Sequence, residues 1–187
     1  MQTVATETAQ LKNGPQVEPA LNLSELFQEY HPRIYNYLRY RVSSVEDAED
    51  LIGTIFELAF KNRAQYDPAK GAFSTWLFRI ARNELVSHYR QRKRRSVWET
   101  EAELPSDLVA VEPSPEMQLV QQEALLELLK GLAHLGERDQ EVISLKFAGR
   151  LRNKEIGQIM KMKEKTVSVV LLRAVRRLRQ EMEKEVA

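Results

Sequence analysis

The sequence holds no cysteine. Disulfides, thiolate metal sites and a cysteine nucleophile are thereby excluded, and the absence fits a reducing compartment. Histidine is nearly as scarce. His31, His88 and His134 are scattered, and none pair at the short helical spacing that grips a metal ion. Glycine is limited to seven residues, with no phosphate-cradling loop and no nucleophile elbow. An enzyme, for instance a hydrolase joining Glu46, Asp47, Glu49 or Asp50 to a histidine, therefore has least in its favour, and no cofactor or metal is expected. No apolar run is long enough to span a bilayer, and the first residues lack the basic-then-apolar pattern of a secretory signal. Membrane insertion is not expected, and the cytoplasm is the default location. Excess charge is missing as well: 28 basic against 27 acidic residues leave +1. Any nucleic-acid surface must come from segregating those charges along the chain.

Segregation is what the chain has. Phe73 to Arg95 reads FSTWLFRIARNELVSHYRQRKRR. Apolar residues at Phe73, Trp76, Leu77, Ile80, Ala81 and Leu85 have the spacing of one buried helix face. The other face carries Arg79, Arg82, Asn83, Ser87 and Arg90, and Arg92, Lys93, Arg94 and Arg95 follow with no acid among them. Cations for phosphates, the flat rings of Trp76, Phe78 and Tyr89 for unstacked bases and an amide for a base edge suit nucleic-acid contact. The plainer reading is an amphipathic core helix with a solvated basic end.

Around this stretch the pattern is all helical. Residues 1–22 are polar, contain Gly14, Pro15 and Pro19, and read as a flexible tail. A helix is predicted from about Ser24 to Val42, kinked or divided by Pro32. Ser44 should cap a second helix, with Asp47 three residues on, that ends near Asn62. Glu46, Asp47, Glu49 and Asp50 crowd its first turns, which is either dipole stabilisation or an acidic patch for a basic protein. Tyr66 to Gly71 is turn chemistry feeding the central helix. From Glu99 to Glu116 every charge is acidic, with Pro105, Pro113 and Pro115 in the same span. This is an inter-domain linker, preferred as a plain spacer over an internal shield for a basic surface. Later helices are predicted over Met117–Leu135, closed by Gly136, over Arg138–Phe147, ended by Gly149, over Asn153–Met160, and from Glu164 to about Lys184. The last two, joined through Lys161, Met162 and Lys163, make a helix-turn-helix with Ile156, Ile159, Met162, Val167, Leu171 and Ala174 as its core. Gly157 should let the two helices approach closely. The expected fold is all-α: a helical domain over 23–96, the linker over 97–116 and a helix-turn-helix domain over 117–187.

Asp47 to Phe60, Phe73 to Asn83 and Glu137 to Arg179, in that order, resemble the extracytoplasmic-function branch of bacterial sigma factors. The resemblance covers about Leu23 to Arg179. It implies a subunit that binds core RNA polymerase and directs promoter recognition and duplex opening. Asp47, Glu49, Asp50, Thr54 and Glu57 match the polymerase-docking helix. Tyr66, Lys70, Phe73, Trp76, Arg79, Arg82 and Asn83 match the element that captures a flipped base of the −10 element, with Arg90, Arg92, Lys93, Arg94 and Arg95 on the phosphates. Lys161, Lys163, Lys165, Thr166, Ser168, Arg173, Arg176 and Arg177 match the helix-turn-helix that meets −35 DNA, and the acidic linker matches the segment threading towards the RNA exit path.

The chain departs from the family pattern at several points. Gly53-Thr54 stands where the family commonly has Gln-Glu, so phosphorylation of Thr54 would restore a negative charge. Ser87 replaces a common Asp. Ser168 and Val170 replace two basic residues, which leaves the −35 contact to Lys163, Lys165 and Arg173. Val169 and Leu172 should turn outward with Val170 near the boundary: either Val170 deepens the core and the other two are scattered surface apolars, or the three make a patch that meets a protein, such as an anti-sigma factor or an activator. A helix-turn-helix regulator that does not bind polymerase is the alternative function.

Overall fold

Ile34 lies four residues after Tyr30, Tyr37 and Leu38 lie three and four after Ile34, and all are buried, which gives the first helix its inner face. This helix, α1 (Leu23–Arg39), is one of seven described in a computed structural model that covers residues 23–42, 44–95 and 115–185. Pro32 does not divide α1 as the sequence suggested. The proline lies on the exposed side, where the carbonyl deprived of its helical partner can bond to water.

In α2 (Val45–Lys61) the side chain of Ser44 accepts a hydrogen bond from the Asp47 N–H, and Ala48, Leu51, Ile52, Ile55 and Ala59 are buried. The Asn62 side chain donates to the Leu58 carbonyl and closes the helix. The next segment folds into two short 3-10 turns, Arg63–Gln65 and Pro68–Lys70, and the Asp67 carboxylate caps the second by accepting from Ala69 N–H. The central stretch is a single helix, α3 (Phe73–Arg95), buried through Leu77, Phe78, Ala81 and Leu85.

The C-terminal half comprises α4 (Pro115–Ala133), α5 (Glu137–Ile143), α6 (Asn153–Met160) and α7 (Glu164–Glu185). The predicted helix Arg138–Phe147 is α-helical only to Ile143 and then widens into a π turn over Ser144–Ala148. The extra residue in that turn rotates the register. Ser144, Leu145 and Ala148 face inward, and Phe147 is 55% exposed. Gly136 does not close α4 with a left-handed turn; its φ is −65° and it caps the start of α5.

The helix-turn-helix forms as read. Ile156, Ile159, Val167 and Ala174 are buried, with Met162 and Leu171 packed against them. Gly157 is required there, because a Cβ would lie 2.7 Å from the Met162 carbonyl oxygen. Lys161 turns the chain in the left-handed region at φ 55°. Among the described residues all regular structure is helical. The tail reading over 1–22 falls outside the described residues, as does the linker reading over 97–116 except at Pro115 and Glu116, which begin α4.

The two halves do not stand apart. The π turn packs on α1, and α6 packs on α3.

Candidate nucleic-acid interface

Helix α3 sorts its residues by period. Arg79, Asn83, Arg90, Arg92, Lys93 and Arg94 are exposed, since burial is confined to the positions that meet α2, α1 and α6. The side chain of Arg95 lies outside the described set. Asn83 presents its amide to solvent, the state needed for a base edge. Tyr66, Phe73 and Trp76 form a partly buried cluster with ring centroids 5.3 to 5.7 Å apart, leading into α3. Lys70 is exposed on the neighbouring turn and pairs with Asp67 at 3.2 Å. Two of the suggested base-stacking rings are not free. Phe78 is fully buried, and the partly buried Tyr89 donates its hydroxyl proton to the Arg41 carbonyl. Their helical positions put them on the packed face rather than the open one.

On α2 the carboxylates Glu46, Glu49, Asp50 and Glu57 are exposed, off the apolar stripe. Asp47 is half-buried and lies 3.7 Å from His88 Nε2 on α3. Glu57 pairs with Lys61, whose ammonium holds its carboxyl below the usual carboxylate range. Thr54 is exposed and donates its hydroxyl to the Asp50 carbonyl.

In the helix-turn-helix, Lys161, Lys163, Lys165, Thr166, Ser168, Arg173 and Arg176 are exposed. Ser168 accepts from Asn153 Nδ2 at 3.0 Å and donates to the Glu164 carbonyl, which ties the start of α7 to α6. Arg177 is exposed as well and pairs with Asp139 of α5, whose side chain is buried. Val169 and Leu172 point outward, 49% and 54% exposed, while Val170 is half-buried against the core.

The seam between the halves brings Arg82, which the resemblance placed on −10 DNA, together with residues that sequence reasoning did not assign. Glu141 of α5 is the centre. Its Oε1 accepts from the Tyr37 hydroxyl at 2.9 Å, and its Oε2 lies 3.1 Å from Arg41 Nη1. Arg82 Nε approaches Glu141 at 3.6 Å, an ion pair too long for a hydrogen bond. The Arg41 and Glu141 side chains are 5% and 6% exposed. Burial, reinforced by the Glu141 charge, pushes the Tyr37 hydroxyl well above the ordinary tyrosine value.

A second acid, Glu155 of α6, accepts from the Ser74 hydroxyl at 2.5 Å and from the Arg152 N–H at 2.8 Å. Burial works against the charged form, yet the donated bonds from Ser74 and Arg152 prevail and hold its carboxyl below the usual range. Arg33 of α1 donates two hydrogen bonds to the Gly149 carbonyl, at 3.1 and 2.8 Å. The Phe78 ring lies so close to Gly149 that a Cβ would meet it at 2.8 Å. A buried acid beside Val142 and Ile143 was a faint sign of Glu141's role. Nothing local in the sequence pairs it with Tyr37 or Arg41.

The chain matches two family models in order: Sigma-70 region 2 over residues 26–95 and Sigma-70 region 4 over residues 131–180. Among curated proteins it is 30% identical over 153 residues to the ECF RNA polymerase sigma factor BldN of Streptomyces coelicolor, covering 82% of this chain and 57% of BldN. It is 27% identical over 179 residues to the ECF RNA polymerase sigma factor SigW of Bacillus subtilis, covering 92% of this chain and 93% of SigW. In fold it is similar to the sigma factor RpoE in complex with the anti-sigma factor NepR from Bartonella quintana. The TM-score is 0.70 at 23% identity, over 86% of this chain and 96% of that one. It is also similar to CnrH in complex with the cytosolic domain of CnrY, with a TM-score of 0.62 at 18% identity, over 87% and 88% of the two chains.

Proposed function

The chain belongs to the extracytoplasmic-function branch of the sigma-70 family, and from that premise we propose that it binds core RNA polymerase and directs promoter recognition, duplex opening and transcription initiation. The observation that carries the proposal is the division of charge on the N-terminal half. Glu49, Asp50 and Glu57 are exposed on α2, while Arg79, Arg90, Arg92, Lys93 and Arg94 are exposed with Asn83 on α3. The acidic face suits a basic protein surface, where complementary charge raises the encounter rate and sets register. The basic face suits phosphates, and the amide suits a base. In the C-terminal half Lys161, Lys163, Lys165 and Thr166 offer a weaker −35 grip, supported by Arg173 and Arg176. Arg177 contributes less, being paired within the fold.

No reaction of its own is assigned to the chain. Its place of work is the cytoplasm, beside the polymerase, and no helix among the described residues is long and apolar enough to cross a membrane. The outward Val169 and Leu172 suit an anti-sigma factor or an activator, and phosphorylation of the exposed Thr54 would add charge to the polymerase face.

The test is a pull-down of core polymerase without DNA. Stoichiometric capture is expected, and Asp50→Arg should weaken it without loss of helical signal, because Asp50 lies off the buried stripe. A helix-turn-helix regulator that works without polymerase would capture none.

A further inference from the structure

Beside the Glu141 ion pairs lies a cleft of about 510 Å³, walled by α3 on one side and by α5 and the end of α6 on the other. Its size falls among small-molecule sites, roughly 300–1,000 Å³. Five cations line it: Arg41, Arg82, Arg90, Lys93 and Arg138. Against them stand two acids, Glu137 and Glu141, which leaves +3 in the cleft. The whole chain carries only +1, so positive charge is concentrated here. A recess lined mainly by one sign focuses its field on the space within.

The fold answers that charge only in part. Glu141 accepts from the Tyr37 hydroxyl, meets Arg41 at 3.1 Å and approaches Arg82 at 3.6 Å. Arg41 Nη1 also donates to the Glu137 carbonyl at 3.2 Å. Yet the Nε atoms of both arginines are buried without a hydrogen-bond partner, and the Arg41 side chain is 5% exposed. Buried donors are seldom left in that state, and these two call for an acceptor. Arg90 and Arg138 place exposed cations at the rim, one from each wall. Val86, Tyr89, Met160 and Met162 are partly buried and complete the lining. Methionine adapts to irregular shapes, and its sulfur favours contact with aromatic rings.

Together these features select a ligand. One phosphate carries about −1.5 to −2 charge, less than the excess in the cleft, so a run of two or more phosphates matches it better. The planar forks of arginine suit phosphate oxygens, and the apolar lining suits a flat ring. We propose that the cleft binds a free nucleoside di- or triphosphate, with its phosphates on Arg82, Arg90, Lys93 and Arg138 and its base against Met160 and Met162. A nucleic-acid backbone offers the same phosphate chemistry. The recess favours the free nucleotide, because Arg41 and Glu141 are only 5% and 6% exposed and a duplex meets the rim alone. The site goes beyond promoter reading and stands whether or not the chain binds polymerase.

Isothermal titration calorimetry of the full chain without DNA, with ATP, pyrophosphate and adenosine as probes, tests the site. ATP should bind saturably, one per chain, pyrophosphate more weakly and adenosine not at all. Arg138→Glu is the diagnostic change. Arg138 is exposed in the first turn of α5, where a carboxylate suits the helix dipole and the variant should fold. It should lower ATP affinity by roughly tenfold or more, as expected for one lost charge-assisted hydrogen bond. Arg90→Ala, on the opposite wall, should weaken ATP as well. Lys154→Glu, the same charge change at the exposed start of α6 outside the cleft, should leave ATP affinity as it is. Binding of a duplex oligonucleotide should survive Arg138→Glu. Four results would each overturn the proposal: no saturable ATP binding, equal losses in Arg138→Glu and Lys154→Glu, duplex and ATP affinity falling together in Arg138→Glu, or adenosine or pyrophosphate binding as tightly as ATP. ATP affinity unchanged in both Arg138→Glu and Arg90→Ala would overturn it too.

Discussion

Replacing Gly157 by alanine should destabilise the helix-turn-helix, although the same change is favourable in most exposed helices. The added Cβ would sit 2.7 Å from the Met162 carbonyl oxygen, where a carbon and a carbonyl oxygen ordinarily rest about 3.3–3.6 Å apart. That oxygen cannot simply swing away. The Met162 N–H is bonded to the Gly157 carbonyl at 2.9 Å, and Lys161 already holds a left-handed conformation to make the turn. Forcing an extra carbon into such a site costs about 1–3 kcal/mol, against a helix-propensity gain of up to about 1 kcal/mol. The expected net loss is about 1 kcal/mol, or a Tm lower by about 2–4 °C for a chain of this size. Gly53 supplies the internal control. It is exposed in α2, and a Cβ there would meet nothing within 4 Å, so Gly53→Ala should stabilise by up to about 1 kcal/mol. Urea denaturation of both variants, followed by far-UV circular dichroism, should place them on opposite sides of wild type, about 2 kcal/mol apart in all. Gly157→Ala matching Gly53→Ala in stability would refute the close-approach argument.

Asn83→Ala should relax −10 sequence preference and cost roughly 1–3 kcal/mol, whereas Arg94→Ala should weaken all promoters alike and reduce the salt slope by about one; equal shifts of preference in the two variants would deny the division between amide and cation. Lys161→Gly should leave the helix-turn-helix as stable or up to about 1 kcal/mol more stable, because glycine relieves the left-handed cap, while DNA affinity falls with the lost charge; a clear loss of stability would show that the Lys161 side chain supports the turn. Tyr37, whose folded pKa is raised by burial and by Glu141, keeps its proton while an unfolded tyrosine loses it near about 10. Its contribution to stability is therefore complete below about pH 10 and declines above it. Denaturation midpoints across the alkaline range should fall less steeply for Tyr37→Phe than for wild type.

Helix positions and faces were legible in the sequence because their causes are local. The Ser44 cap, the stripe from Ala48 to Ala59, the break at Lys161 to Lys163 and the outward turn of Val169 and Leu172 all follow from period and capping within a few residues. The charge segregation on α2 and α3 was legible for the same reason. Misreadings came where a partner distant in sequence decides the outcome. Phe78 looked like an open ring until Gly149, from the other half, was found against it. The ion pair of the exposed Arg177 with Asp139 was equally invisible in the sequence. The helix through Phe147 looked regular until a π turn shifted its register to pack on α1. Glu141 belongs to the same class. One carboxylate's worth depends on Tyr37, Arg41 and Arg82 reaching it across the chain, and a single sequence records no such distances. Local periodicity thus determined which surface each helix offers, and tertiary packing decided which of those surfaces remain open, because occupation depends on where the two halves meet.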